Sequence, residues 1–349
     1  MTIVTEGLSP VASDVVSLEA VHIVQVYRRQ PIVLVRGSGS KVYDADGREY
    51  LDLISGVGVA SLGHANPRLA AAISAQAREL LHCSNLFFHP LQGQVAARLS
   101  RLSGLSRTFF CNSGAEAVEA CLKFTRRYWH TRGEPRPGLV ALESSFHGRT
   151  IGSLSVTGEE HYRTPFEPLL GNVTFVPPND RDALLNAVTR GIGAIIVEPI
   201  QGEGGVRPLT AEFAGAIAEA CASTGALLIA DEVQCGLGRT GAPFYFTQLG
   251  LKPHALALGK ALGAGVPIGA AVISDEVANA LAFGDHGSTY GGNLLACRAA
   301  LVFLEELIDR GLLNHVASVG AFARAKLSEL ARRHATIQEV RGAGLMWGL

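Results

Sequence analysis

The chain is 349 residues long, 48% hydrophobic and 17% charged, with a formal net charge of -1, a pI of about 6.8 and a mean hydropathy of +0.23. That length exceeds the size at which a single core stops growing, and the composition excludes a disordered or fibrous protein, so one large domain with a smaller appendage is expected. A charge this close to zero, with no Lys/Arg run, argues against nucleic acid as a partner.

The first residues, MTIVTEGLSPVASDVV, lack a basic stretch followed by an apolar block. No window approaches the roughly 18 uncharged apolar residues of a spanning helix. A cytoplasmic protein with no membrane contact is therefore expected. Cys83, Cys111, Cys121, Cys221, Cys235 and Cys297 form no Cys-x-x-Cys pair and lie in apolar stretches, which reads as free thiols in a reducing compartment. In chain order, 41–56 alternates around Asp46-Gly47 and predicts a hairpin. The spacing of apolar residues in 67–81 and 90–102 predicts helices.

From about residue 105 the pattern becomes strand then helix: strands at 107–112, 138–144, 193–199, 226–232, 255–260 and 270–274, with helices at 114–130 and 213–224. Continuous apolar strands alternating with amphipathic helices predict an α/β fold with a mostly parallel sheet covered on both faces. Ligands in such sheets bind beyond the carboxyl ends of the strands. Asn112, Ser113, Glu143, Glu198, Asp231 and Lys260 gather there. The stretch 298–313 reads as one amphipathic helix whose acidic face suits ordinary packing rather than a membrane surface. The last ten residues look like a loop entering a strand, so the natural protein is expected to continue past Leu349.

Three features at the expected sheet edge carry chemistry. Ser113, followed by Gly114 and by Glu116 three residues on, has capping-box spacing. The helix it opens offers free N–H groups and a partial positive charge to a phosphate, or is simply an ordinary cap. Asp231 ends a buried strand and needs either a proton-bearing ring nitrogen or an ion pair with a residue such as Arg239. Lys260 ends another apolar strand, where desolvation makes an amine nucleophilic; otherwise its head reaches water. Together the three match pyridoxal phosphate, which has a phosphate, a pyridine nitrogen and an aldehyde that bonds to lysine. His64, His147 and His286 have no ligand spacing, and no metal is expected.

The ordered blocks NSGAEAVEACLKFTR, SFHGRTIGSLSVTG, VEPIQGEGGV, LLIADEVQCGLGRTG, LGKALGAGVPIGA and HGSTYGGNLLAC resemble the class III (ω-amino-acid) pyridoxal phosphate aminotransferases of fold type I. The resemblance runs from about residue 20 to the end. It implies a large domain at 65–305 and a smaller α+β domain from 1–64 and 306–349. It also implies that Lys260 holds the cofactor as a Schiff base and then moves a proton, that Asp231 keeps the pyridine nitrogen protonated, and that Phe146 and Val233 cover the two ring faces. Gln234 would lie near the phenolic oxygen and His147 would line the pocket. Ser113, Gly114 and Ala115 would hold the phosphate, with Thr289 reaching the phosphate of a second copy in a homodimer with shared active sites.

By the same resemblance Arg149 binds a substrate carboxylate, and Glu203 pairs with an arginine further along the C-terminal domain. Ser84, Asn85 and Ser288 stand near the substrate tail, as in the acetylornithine branch. The implied substrates are small amino acids and 2-oxo acids, with the terminal amine of N2-acetylornithine passed to 2-oxoglutarate. Succinylornithine, succinyldiaminopimelate, ornithine and carrier-bound lysine derivatives are alternative donors, because such pockets separate acyl tails by only a few kcal/mol. An aminomutase and a non-catalytic dimeric relative are the rival readings.

Overall fold

The computed structural model describes residues 9–349. Seven strands form the central sheet: β1 (Arg107–Cys111), β2 (Gly138–Leu142), β3 (Val173–Val176), β4 (Ile192–Val197), β5 (Leu227–Asp231), β6 (Ala255–Leu258) and β7 (Gly269–Ile273). Their order across the sheet is β1-β7-β6-β5-β4-β2-β3. Every neighbouring pair is parallel except those made by β7, which runs antiparallel to both β6 and β1. The exception follows from chain length: a parallel return needs a crossover of a dozen or more residues, usually a helix, and the link from Leu258 to Gly269 is shorter.

Helices cover both faces: α1 (Pro67–Glu79), α2 (Gln92–Ser103), α3 (Gly114–Thr131), α4 (Ala211–Thr224) and α5 (Leu294–Leu304); a further helix, α6 (Leu312–Arg333), buries only Val316 and Gly320. The central strands β4, β5, β6 and β7 carry no polar side chain before Asp231. Ile195, Val197, Leu228, Ala230, Leu256 and Leu258 enter one core, with Val95 of α2, Phe213 and Ile217 of α4, and Leu301 of α5. Ala194, Ile196, Leu227, Ile229, Ala255 and Ala257 enter the other, with Ala117, Val118, Cys121 and Phe124 of α3. Each fully buried Leu or Ile contributes about 1.5–3 kcal/mol, which is why a run apolar on both faces stays at the centre of the sheet.

The same two-residue period dictates the site. Asp231 continues the Leu227–Ile229 row and therefore faces α3, while Glu232 faces the opposite side. Asp231 pairs in register with Ala257 of β6, so Lys260 emerges from the adjacent strand end three residues later. At the far side of the sheet Gly269 lies against the Ser113 carbonyl, which brings the start of α3 to the same edge.

Elsewhere the expected hairpin forms between Lys41–Asp44 and Glu49–Leu51, with the Asp44 carboxylate accepting from the N–H groups of Asp46 and Arg48. The stretch 298–313 is not one amphipathic helix. α5 is mostly buried and apolar except at Arg298, which donates to Gln76 Oε1; it runs into a π turn at Glu305–Asp309, and the chain breaks at Gly311, whose φ of 79° precedes α6. The acidic residues lie in that turn, where Glu305 and Glu306 pair with Arg68 of α1. The last residues form a hairpin, Arg341–Ala343 with Met346–Gly348, in place of a loop entering one strand. β3 and the helix Arg181–Ala187 are short and were not expected from the periodicity.

Because a Cβ at Gly269 would collide with the Ser113 carbonyl, Gly269→Ala is expected to destabilise the fold by about 1–3 kcal/mol through overpacking. Urea denaturation of the variant checks this.

Candidate active site

Lys260 occupies a left-handed backbone conformation with φ 40°, which costs about 1–3 kcal/mol in a non-glycine residue and is found where surroundings hold it in place. The holding contact is visible beside it. A Cβ on Gly259 would stand 3.0 Å from the Gly114 nitrogen, and one on Gly114 would stand 2.6 Å from Val233 Cγ1. The end of β6, the start of α3 and the turn after β5 therefore meet with no room for additional side chains. Burial pushes the Lys260 amine below its ordinary 10.5, with the charges of Asp231, Glu198 and Glu203 opposing the drop.

Asp231 is buried. Its Oδ2 is 2.7 Å from His147 Nδ1, and its Oδ1 accepts from the Val233 N–H at 3.0 Å. The ion pair with Arg239 considered from the sequence does not form: that guanidinium donates to Ser61 Oγ at 3.2 Å. Burial pulls the His147 pKa down, but the hydrogen bond and charge of Asp231 outweigh it, and the imidazole ends above its ordinary 6.5. Its backbone N–H donates to Thr157 Oγ1. His147 Nε2 is buried without a hydrogen-bond partner.

At the start of α3, Ser113 Oγ accepts from the Glu116 N–H at 3.2 Å. The capping box is only half formed, because the Glu116 carboxylate accepts from Asn112 N and Nδ2 instead of returning to Ser113. Among the described residues the N–H groups of Gly114 and Ala115 have no acceptor. They are free to hold an anion at the positive end of the helix.

These groups surround a cavity of about 270 Å³ lined by Gly114, Ala115, Phe146, His147, Gly148, Arg149, Glu198, Glu203, Asp231, Val233, Gln234 and Lys260. Gly148, with φ 132° and its α-hydrogen side packed on Ala115 and Ser153, turns the chain between Phe146 and Arg149. The Arg149 guanidinium is exposed and lies 3.5 Å over the Tyr162 ring and 5.5 Å from the Phe146 ring centre. Glu203 is exposed and makes no hydrogen bond or ion pair among the described residues. A larger cleft of about 720 Å³ lies between Trp129, Arg132, Arg136 and His254, at the opposite ends of the strands. Size does not select the site; the convergence of an amine, a paired carboxylate and free helix N–H groups does.

Ser113, the N-cap of α3, lies outside the lining of this cavity, next to Gly114. Ser84, Asn85, Ser288 and Thr289 lie outside it as well. These four group with one another: Asn85 Nδ2 donates to the carbonyls of Ser288 and Gly291, Ser288 Oγ accepts from Asn112 Nδ2, and Thr289 is exposed. Ser84 Oγ accepts from the Leu86 N–H. Two residues of the site were not assigned roles from the sequence. Tyr162 supports Arg149 from a short helix with no periodic signal. Glu198, two residues from Ile200, ends a buried run, and a carboxylate at the end of an uninterrupted apolar strand was the available sign.

A lysine and a buried carboxylate on adjacent strand ends, facing a helix N-terminus, define an enzyme that works through pyridoxal phosphate. Residues 23–349 match the family model of class III aminotransferases. The acetylornithine aminotransferases of Myxococcus xanthus and Methanocaldococcus jannaschii are 47% and 44% identical to the chain, over 94% and 95% of it and 82% and 84% of their own lengths. The structure of an amine transaminase from an uncultivated Pseudomonas species, in its pyridoxal-phosphate-bound form, superposes with a TM-score of 0.85 at 31% identity, covering 92% of this chain and 81% of that one. The chain belongs to the class III aminotransferase family and is a pyridoxal-phosphate-dependent aminotransferase.

The cavity residues fit that cofactor: Asp231 suits a ring nitrogen, Lys260 an aldehyde, and the free Gly114 and Ala115 N–H groups a phosphate. Removing His147 leaves Asp231 buried and unpaired, so His147→Ala is expected to cost the cofactor-free protein about 3–5 kcal/mol. The pH sign follows from the raised His147 pKa. Its stabilisation is complete below 6.5 and is lost as pH rises through the higher folded value. Thermal unfolding followed across neutral pH is expected to show stability falling with pH in the parent, with a flatter profile in Asp231→Asn.

Proposed function

We propose that this enzyme transfers the terminal amine of N2-acetylornithine to 2-oxoglutarate, giving N-acetylglutamate 5-semialdehyde and glutamate. The observation that carries the reading is Lys260 and Asp231 at adjacent strand ends around one cavity, in a chain whose similar relatives are acetylornithine aminotransferases. Pyridoxal phosphate, when bound, supplies an aldehyde and an electron sink.

The chain's residues do the rest. Asp231 would accept a hydrogen bond from the ring nitrogen, while His147, 2.7 Å from its Oδ2, orients that carboxylate. Lys260 would hold the cofactor through its Nζ and, when a substrate amine takes that place, its freed amine would serve as the base and acid that moves a proton at the amine-bearing substrate carbon. Burial of that amine favours its neutral, proton-accepting form. Gly114, Ala115 and Ser113 would hold the phosphate, Phe146 and Val233 would cover the ring faces, and Gln234 would lie near the phenolic oxygen. Arg149 grips a substrate carboxylate through its planar fork, for which a lysine is a poor substitute. Glu203 occupies the place of the residue that gates the dicarboxylate acceptor.

The same reading assigns residues 65–305 to the cofactor-binding domain and 1–64 with 306–349 to the smaller one. It also assigns a homodimer. Phe88 and Phe283 are fully exposed, Leu86 is 87% and Phe87 68% exposed, and these flank the segments that Asn85 ties together. Apolar exposure on this scale suits a partner surface. A second copy there brings Thr289 to the neighbouring phosphate and Ser84, Asn85 and Ser288 to the substrate tail. No helix among the described residues is long and apolar enough to cross a membrane; the assignment to the cytoplasm is carried by the sequence reading alone.

Lys260→Ala is expected to lose the visible band of the lysine-bound cofactor and to lower kcat by at least about 10²–10⁴-fold. Arg149→Lys is expected to raise the KM for the carboxylate substrate by about 10–100-fold with a smaller effect on kcat. Steady-state kinetics with a panel of ω-amino donors tests the substrate; preference for another donor, or turnover without any 2-oxo acid, overturns the assignment. Light scattering of Phe88→Asp and Phe283→Asp is expected to report a shift from dimer toward monomer.

A further inference from the structure

One buried carboxylate in the cavity has no part in the steps above. Glu198 follows β4 and is 5% exposed. Its Oε2 accepts from the Phe146 N–H at 3.0 Å and its Oε1 from the Gly202 N–H at 3.1 Å. The two donors belong to two walls of the cavity, which also meet where Gln201 Nε2 donates to the Glu143 carbonyl at 2.8 Å. Phe146 opens the loop that carries His147 and Arg149, and Gly202 opens the loop that carries Glu203 and lies against Gln234, where a side chain at 202 would collide. Among the described residues Glu198 has no ion-pair partner; the ionisable groups that face it are His147, Asp231, Lys260 and Cys235.

We propose that Glu198 is a positioning residue that sets the separation of the two cavity walls, its ionised carboxylate accepting one backbone hydrogen bond from each. The ionised carboxylate gives each N–H an oxygen of its own, through a charge-assisted bond. Protonation removes the charge and leaves the hydroxyl oxygen a poorer acceptor, so proton uptake loosens one wall. Burial pushes the Glu198 pKa up to about 7, with His147 opposing the rise, Asp231 adding to it and the Phe146 and Gly202 N–H groups opposing it; losing either donor while the carboxylate stays buried raises the pKa further, so proton uptake favours release and the clamp engages as pH rises through neutrality. The clamp is a property of the cofactor-free chain; its consequence for cofactor binding rests on the function proposed above.

Hydrogen exchange of the cofactor-free protein, read on peptides covering 144–149 and 200–206 with α6 as the internal reference, tests it. In the parent, exchange of one segment, corrected for the intrinsic rate, is expected to be faster at about pH 6 than at about pH 8.5, while α6 does not change. Glu198→Gln keeps the shape but presents an amide donor to one of the two N–H groups. It is expected to speed exchange of one segment about tenfold at the higher pH, with little added effect at the lower, and to weaken pyridoxal phosphate binding by a similar factor, measured by quenching of tryptophan fluorescence. Parent exchange in both segments that ignores pH, or a variant that matches the parent in both segments at the higher pH, overturns the clamp. Failure of the parent to bind pyridoxal phosphate counts against the proposed function instead and leaves the exchange result standing as the test of Glu198.

Discussion

Asp231 is a charge at the centre of the molecule, and the arrangement around it is largely what makes that charge tolerable. An isolated buried carboxylate costs several kcal/mol. Here one oxygen meets the His147 imidazole and the other accepts from Val233, and that second bond shapes the turn leading to Gln234. His147 in turn is anchored through its backbone to Thr157. One constraint thus fixes a histidine, a turn and a loop, all of them on the cavity wall.

The same logic recurs with the neighbouring acids. Glu232, on the opposite side of the strand, accepts from the N–H groups of Tyr245 and Phe246, and burial raises its pKa to about 8. It anchors a connecting loop where Asp231 anchors the reaction centre. Glu119 of α3 accepts from Gly152 and Ser153 and so holds the short helix after Arg149 against α3. In each case a carboxylate satisfies backbone donors that an irregular loop leaves unpaired. The loops at this sheet edge are therefore fixed by acids on the rigid elements, which is how a cavity built mainly of turns acquires a defined geometry.

Close backbone approach is the other ingredient. Gly114, Gly259 and Gly269 let α3, β6 and β7 come together at distances a Cβ forbids. This approach sets the free N–H groups of Gly114 and Ala115 beside the lysine. It explains the strained backbone at Lys260: the residue is held by neighbours that have no slack to relax it. The membership of the family and the chemistry of the cofactor give this strain a use, since a lysine aimed by its backbone loses little freedom when it reacts.

Periodicity in the sequence determined the α/β class, the two-sided cover of the sheet and the strand ends at which polar residues collect, because hydrophobic alternation is a local property. Motif blocks determined the family and, through it, the cofactor. Local patterns did not decide the partner of Asp231, since His147 is 84 residues away and Arg239 only eight; burial and the geometry of the turn chose the distant one. Nor did they reveal that 298–313 breaks at Gly311, or that Ser84, Asn85, Ser288 and Thr289 gather away from the cavity of their own chain. Those outcomes depend on which backbones can approach and which buried charges can find donors, and both are settled only when elements remote in sequence pack against one another.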